Sequence, residues 1–316
     1  MTGLVARLAR VRREMLGINR RNHEYLFRWN RRDRWAVADD KLATKAALVA
    51  AGVPVPATLG TCAAPWELRA LRTMAARADG FVAKPARGAG GGGVLVVARV
   101  DGEHLWKPSG ARLGWNDVVA HAADVLAGVY SLGGREDALL VERRVVCEAA
   151  MTGLAWGGVP DVRVVVLRGV PLAAMLRLPT RRSDGRANIH LGGLGVGVDL
   201  ADGRTTHAVA QGRAIAAHPD TGVALAGAVV PAWDDVVTLA VQAADAVGLG
   251  FLGVDVVVDA ALGPLVLEVN VRPGLAIQLA NRAGLRPRLA HVAGLARVPD
   301  DVAARVALGR TLARGG

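Results

Sequence analysis

Two carboxylates and one amide on an apolar stretch near the C-terminus of this 316-residue chain have the types and spacing to do chemistry. Residues 251–275, FLGVDVVVDAALGPLVLEVNVRPGL, predict two strands, 252–258 and 265–271, with Gly263-Pro264 as turn punctuation. Alternation with period two puts Glu268 and Asn270 on one face. A hairpin centred between Ala261 and Leu262 sets Asp255 opposite Glu268. Opposed carboxylates with Cβ atoms about 5 Å apart repel, so an apolar sheet that carries them needs a compensating cation. Mg²⁺ accepts such oxygen ligands and keeps coordination positions for water or phosphate. The competing reading is a solvated polar face on a surface hairpin, and the flanking Val and Leu residues count against it.

A second group has phosphate chemistry. The chain has four lysines, Lys41, Lys45, Lys84 and Lys107, among 39 Lys and Arg. The two residue types are not interchangeable at a compact phosphate contact. Residues 80–100, GFVAKPARGAGGGGVLVVARV, predict strand, glycine loop, strand, with Lys84 ending the first strand. Gly88, Gly90, Gly91, Gly92 and Gly93 leave a backbone free to approach an anion and aim N–H groups at it. This is neither a Walker loop nor a dinucleotide fingerprint, because no Gly-Lys-Ser/Thr occurs and a strand follows instead of a helix. A flexible linker is the alternative, disfavoured by the lysine at the root of the hairpin. Lys41 falls in the first turn of a predicted helix, capped by Asp39 or Asp40, running to about Ala51 and stopped by Gly52. On local grounds an ordinary exposed lysine is an equal reading there.

The elements that must position these groups follow from the pattern. Leu4, Leu8, Val11 and Met15 recur at helical spacing. They lead into a basic run with Tyr25, Phe27, Trp29 and Trp35. The favoured reading is an arm that packs its aromatics on the body and leaves its arginines in water; the competitor is a stacking surface for RNA or another polyanion. A helix is expected at 65–77, loop at 101–114 and a helix at 116–130. The apolar strand 138–146, ALLVERRVV, runs into Glu142, Arg143 and Arg144. A hairpin follows, 162–168 and 172–178, with Asp161 and Arg163 at its start and Arg177 near its end. Next come a polar loop with Arg186, Asn188 and His190, a helix capped by Asp234 or Asp235 through about Val247, and a basic helical tail after Leu285.

Composition bounds the class. At 52% apolar and 21% charged residues the chain is globular and long enough for one large domain or two lobes. The net charge of +11 allows an anionic partner. No uninterrupted apolar run of about 18 residues and no signal-type N-terminus occur, and Cys62 and Cys147 fit no metal or redox spacing. A cytoplasmic protein is the expectation.

Several motifs in order carry a resemblance: Asp40-Lys41 with its GVPVP exit, FVAKP with the glycine loop, LVERRV, PDVRVVV, RANIHLGG, and GVDVVVD followed by LEVNVRPG. Together with GINRRN near the N-terminus, they resemble the ATP-grasp superfamily, specifically the α-L-glutamate ligase-like group related to ribosomal-protein glutamate ligases. The resemblance implies an α+β ATP-grasp fold, two α/β lobes with antiparallel sheets enclosing a nucleotide site. It divides the chain into a basic arm (1–38), an N-terminal lobe with the glycine loop (39–137), a C-terminal lobe with the metal site (138–285) and a basic tail (286–316). It implies ATP and Mg²⁺, with Mn²⁺ as a substitute. Lys41 and Lys84 would contact phosphates under Gly88–Gly93. Glu142, Arg143, Arg144 and Val145 would form a hinge that holds adenine, and Glu148 would contact ribose. Asp255, Glu268 and Asn270 would hold magnesium. Arg177, Arg186, Arg272 and Asn188 would face a reacting carboxylate or its acyl phosphate.

The implied activity is a carboxylate–amine ligase acting through an acyl phosphate, adding glutamate or another amino acid to a peptide or protein. Two alternatives stay open: an ATP-grasp ligase acting on a glycan or cell-envelope precursor, and a non-catalytic nucleic-acid-binding protein. The separate N-terminal α/β domain common in the superfamily has no counterpart in the roughly forty residues before Asp40, about a third of a typical domain. Arg143 also stands where an acidic hinge residue is common.

Overall fold

The computed structural model describes residues 2–88, 91–131 and 133–314. It resolves into two compact units, one of 40–45 and 55–146, the other of the remaining described residues. The architecture is mixed α+β with antiparallel sheets.

Among the described residues the smaller unit carries seven strands: β1 (Thr58–Cys62), β2 (Phe81–Pro85), β3 (Leu95–Val97), β4 (Arg99–Asp101), β5 (His104–Trp106), β6 (Arg112–Leu113) and β7 (Leu139–Arg143). They form a four-stranded sheet in the order β1-β7-β2-β3 and a small sheet β4-β5-β6. The helix Trp115–Leu126 lays Trp115, Val118, Ala122 and Val125 in one core with Phe81, Leu139 and Val141, a spacing that turns one helical face inward. The Trp115 and Phe81 rings stack at 6.3 Å. The helix ends before the expected Tyr130 because Gly128, at φ +78, approaches so closely that a Cβ would lie 2.2 Å from the Arg135 carbonyl oxygen. The expected loop at 101–114 holds β5, β6 and the end of β4. These strands are too short for alternation to show, and a cross-strand pair supports them: the Arg99 guanidinium lies 3.8 Å from the Trp106 ring centroid.

The larger unit is built on a seven-stranded sheet of β8 (Asp161–Leu167), β9 (Val170–Leu178), β10 (Leu194–Val198), β11 (Thr205–Ala210), β12 (Arg213–Ile215), β13 (Phe251–Asp259) and β14 (Gly263–Asn270). Its order is β12-β11-β10-β9-β8-β13-β14. The helix Trp233–Val247 buries Val236, Val237, Ala240, Val241, Ala244 and Val247. Asp234 and Asp235 sit in its first turn and do not cap it; Ala232, left-handed at φ 48, leads into the helix instead. β10 is hidden in the sequence by its glycines. Gly197 is needed there because a Cβ would come 2.4 Å from the Ala280 carbonyl oxygen.

The 251–275 hairpin differs from expectation at its tip. Gly263 and Pro264 open β14, and the turn is made by 260–262, with Asp259 Oδ1 accepting from the Ala261 and Leu262 N–H groups at 2.9 and 3.1 Å. Near the tip Val256 pairs with Val266, and a register shift then sets Asp255 opposite Glu268. The extra residue, Leu267, is a β-bulge.

The N-terminal segment is built into the same unit. Tyr25 and Leu26 are buried, and the Tyr25 ring lies 6.0 Å from that of Phe251. Asn30 brackets the Phe251 backbone, donating to its carbonyl and accepting from its N–H, both at 2.7 Å. Gln278 treats Leu16 the same way, at 2.8 and 3.1 Å.

Candidate functional site

In the smaller unit, β2 and β7 pair so that Lys84 at the end of one strand stands beside the end of the other. Glu142 of β7, 4% exposed, receives Lys84 Nζ at 2.5 Å and is also paired with Lys45. Two ammonium groups thus share one carboxylate in a nearly sealed place. Burial by itself would raise the Glu142 carboxyl; Lys84 and Lys45 outweigh it, and the group titrates below the usual glutamate range. Burial lowers the Lys45 ammonium, and the Glu142 charge opposes that. The cluster carries one positive charge in excess, which favours an anion from solution. Lys45 escaped the sequence reading; the signal was present in the scarcity of lysine.

The root of the glycine loop is pinned beside this cluster's strand. Asp137, buried, accepts from the Arg87 N–H at 3.0 and 3.1 Å, from Ser131 Oγ at 2.6 Å and from its neighbour Ala138 N–H at 2.7 Å. Asp40 caps the helix Lys41–Ala50 through the Leu42 and Ala43 N–H groups at 2.9 and 3.2 Å. Its other oxygen holds Arg87 Nε at 3.1 Å. Lys41 Nζ donates to the Gly88 carbonyl at 2.5 Å. A Cβ on Gly88 would lie 2.3 Å from Pro85 Cγ, and one on Gly93, at φ +70, would lie 2.5 Å from the Tyr130 ring. Gly91 is also left-handed, at φ +79. Gly90 lies outside the described residues.

The expected hinge is partly spoken for. The Arg143 N–H donates to Ala57 O at 2.9 Å and the Arg144 N–H to Gly80 O at 3.2 Å. Val145 is buried, and the Glu142 side chain serves the lysines. Glu148 belongs to the larger unit and accepts from the Ala149 N–H at 2.7 Å at the start of a one-turn helix.

In the larger unit, three strand pairings assemble a charged face. Asp255 stands opposite Arg163 on one side and Glu268 on the other, and Asp161 stands opposite Arg177. Arg163 grips Asp255 with Nε on Oδ1 and Nη2 on Oδ2, both at 2.7 Å. Arg177 donates to Asp161 at 2.5 and 2.8 Å and to Asp255 Oδ2 at 2.6 Å. Asn270 Nδ2 adds a fourth donor to Asp255, at 3.0 Å. Gly253 makes room, since a Cβ there would lie 3.6 Å from Arg163 Cδ and 2.9 Å from Pro273 Cβ. Burial would raise Asp255, but Arg163 and Arg177 hold it below the ordinary range. Asp161 goes the other way: burial pushes it up to about 6 against the pull of Arg177.

These contacts bear on magnesium. The sequence pattern points to a metal ion as the cation that compensates Asp255; in the structure Arg163 and Arg177 supply that compensation. The carboxylate oxygens of Asp255 already accept four hydrogen bonds, so Asp255 does not fit an open ligand position. No group of three or more His, Cys, Asp and Glu suited to a metal occurs among the described residues. Glu268 and the Asn270 amide oxygen are hard donors whose chemistry suits magnesium shared with phosphate oxygens. Arg186 is exposed and pairs with Asp184 at 3.9 Å, and Asn188 caps a short turn through the His190 N–H at 2.9 Å. The loop that carries both reaches the face through Ile189, which lies 3.1 Å from where a Gly195 Cβ would stand, beside Arg177 in register.

A family model described as sugar-transfer-associated ATP-grasp matches residues 20–294. The chain belongs to this ATP-grasp family. Among solved structures it is similar to the ATP-grasp ligase PsnB complexed with a minimal precursor, at 18% identity and TM-score 0.47, over 84% of this chain and 62% of that one. It is also similar to a RimK domain ATP-grasp protein from Sphaerobacter thermophilus, at 18% identity and TM-score 0.44, over 80% and 69%. A D-alanine–D-alanine ligase from Bacillus anthracis matches at 14% identity and TM-score 0.45, over 91% and 70%. The aligned region thus spans less than two thirds of PsnB. No curated protein matches the chain. No helix of this ATP-grasp chain is long and apolar enough to cross a membrane, among the described residues.

Proposed function

We propose that this ATP-grasp protein is an ATP-dependent ligase that joins a carboxylate to an amine. The observation that supports the nucleotide half most is the Lys45–Glu142–Lys84 cluster, with its unbalanced positive charge at the end of the strand that leads into the glycine loop. In this reading Lys84 and Lys41 hold phosphate oxygens, and the loop 88–93 places backbone N–H groups on them. Glu142 keeps both ammonium groups charged and in place. Glu268 and Asn270 hold magnesium, and Asp255 orients Asn270 while locking Arg163 and Arg177. Magnesium, when bound, neutralises phosphate charge during transfer.

The substrate carboxylate would attack the γ-phosphorus, releasing ADP and leaving an acyl phosphate. An amine would then displace inorganic phosphate and form the amide. Arg177, Arg272, Arg186 and Asn188 are the candidates for holding the reacting carboxylate. Arg177 is fixed by two carboxylates, Asp161 and Asp255. Little acid–base machinery is required, since positioning and charge stabilisation carry the reaction. A cytoplasmic setting would supply the ATP.

A second reading concerns the acceptor alone. The family's description as sugar-transfer-associated favours a glycan or cell-envelope precursor over a peptide or protein. One experiment addresses both. ADP release from Mg-ATP is measured across amino acids, acidic peptides and amino sugars, for the wild type beside Glu268→Ala. Stimulation by one acid–amine pair, abolished in the variant, is the expected result, and the active pair identifies the acceptor class. Binding of Mg-ATP with no stimulation by any pair overturns the ligase reading.

A further inference from the structure

The N-terminal segment sets a buried arginine against the residues that follow the β14 strand. Arg21, 8% exposed, opens a π-helical stretch, Arg21–Leu26, a backbone form concentrated at functional sites. Its Nη1 donates to the Pro273 carbonyl at 3.0 Å, and its Nε and Nη2 donate to Asn22 Oδ1 at 3.0 and 2.8 Å. These acceptors are neutral, and no carboxylate pairs with Arg21 among the described residues. Buried arginines are normally paired.

Arg272 precedes Pro273 and likewise has no ion pair among the described residues. Its guanidinium lies 5.0 Å from the Trp35 ring centroid, and Trp35 stacks on Phe27 at 5.7 Å. The aromatic stack from the arm therefore holds Arg272 from one side. Arg163 adds a third guanidinium nearby: its Nη1 would lie 3.9 Å from a Cβ on Gly274, while its other two nitrogens hold Asp255. Burial, with the charge of Arg272 adding to it, lowers the Arg21 guanidinium from its ordinary value. A broad surface depression of about 570 Å³ lies on the same segment, lined by Asn19, Arg20, Asn22, His23, Glu24 and Phe27. Asn22 and Phe27 are the residues that hold Arg21 and back Trp35.

We propose that Arg21 and Arg272 form a binding site for an oxyanion of the second substrate, carboxylate or phosphate, with the surface depression receiving the body of that substrate. The assignment to the second substrate rests on the ligase reading, in which the ATP phosphates belong to the lysines of the other unit.

The test uses the full chain and its thermal midpoint, at constant ionic strength, with sodium phosphate, sodium succinate or Mg-ADP added. Phosphate or succinate raises the wild-type midpoint saturably in the millimolar range. A shift of this kind survives in Lys84→Met, where the lysine site is disabled, and disappears from that variant when Arg272→Gln, whose exposed side chain is removed without opening the core, is added. Arg21→Lys, which keeps the charge and loses the fork, shows a weakened shift. Action of phosphate points to a phosphorylated second substrate, and action of succinate to a carboxylate one. A Lys84→Met shift retained when Arg272→Gln is added, or no shift with either anion, overturns the site. The ligase reading is judged separately. If Mg-ADP fails to shift the wild type while the anion shift behaves as described, the site stands and the nucleotide assignment falls.

Discussion

Arg163 and Asp255 meet as a two-point pair across adjacent antiparallel strands, with both N–O distances at 2.7 Å and the carboxylate fully buried. The pair ties β8 to β13 at the register position that also sets Asp255 opposite Glu268. Breaking a buried pair by removing one partner is strongly destabilising, because the other charge stays buried and uncompensated. Asp255→Ala leaves Arg163 and part of Arg177 in that state. It should lower stability by about 3–5 kcal/mol, read as a fall in the urea midpoint at unchanged slope. Glu268→Ala, at a half-buried position, should leave the midpoint within about 1 kcal/mol of wild type while abolishing activity. Equal stability losses in the two variants would remove the distinction drawn between an arginine-locking and a metal-holding carboxylate.

The lysine cluster predicts a division of labour. If Lys84 holds phosphate as proposed, Lys84→Met should weaken ATP binding roughly 10- to 100-fold. Glu142→Gln should loosen both ammonium groups and weaken ATP binding as well, since neither lysine is then held in place. Titration calorimetry with Mg-ATP checks both. Unchanged affinity in Lys84→Met would move the phosphate site elsewhere.

Acid titration should separate the two units. The Glu142 carboxyl lies below its ordinary value of 4.5. Its contribution is therefore present above that value and is lost as pH falls through the folded one. Asp161 has the opposite sign. Its value is raised from 3.8 to about 6 by burial, so ionising it costs stability as pH rises between those values. Asp161→Asn should remove the decline in stability over that window, and Glu142→Gln should flatten the loss below it. Urea midpoints measured against pH for the three proteins give the comparison.

Gly88 admits no side chain, since a Cβ would sit 2.3 Å from Pro85 Cγ. Gly88→Ala must shift the loop root that Lys41 and Asp137 hold. The expected result is a folded protein whose KM for ATP rises at least about tenfold, worth 1.4 kcal/mol. A wild-type KM would show that the loop does not cover the nucleotide.

Both thiols should be inert while the chain is folded. Burial pushes Cys147 up to about 11 and raises Cys62 as well, and the thiolate is the reactive form. Iodoacetamide at pH 8 should label neither until denaturant is added. Rapid labelling of Cys147 in the native chain would contradict its placement.

Much of the fold was legible in residue order, because local patterns carry it. Asp40 and Gly52 bound a helix through capping and backbone freedom, and both act within a turn of their own position. A hairpin centred between Ala261 and Leu262 sets Asp255 against Glu268, although a bulge at Leu267 and a different tip produce that pairing. Glycine hid β10, and brevity hid β5 and β6, since neither leaves an alternation to read. The partners of the charged groups were beyond such reading. Arg163 and Arg177 reach Asp255 across 92 and 78 positions, and Lys45 reaches Glu142 across 97. Hydrophobic period and turn chemistry carry no record of which distant strand lies alongside. A repelling carboxylate therefore announced from the sequence that it needed a cation, and only the packing of strands decided that two arginines provide it.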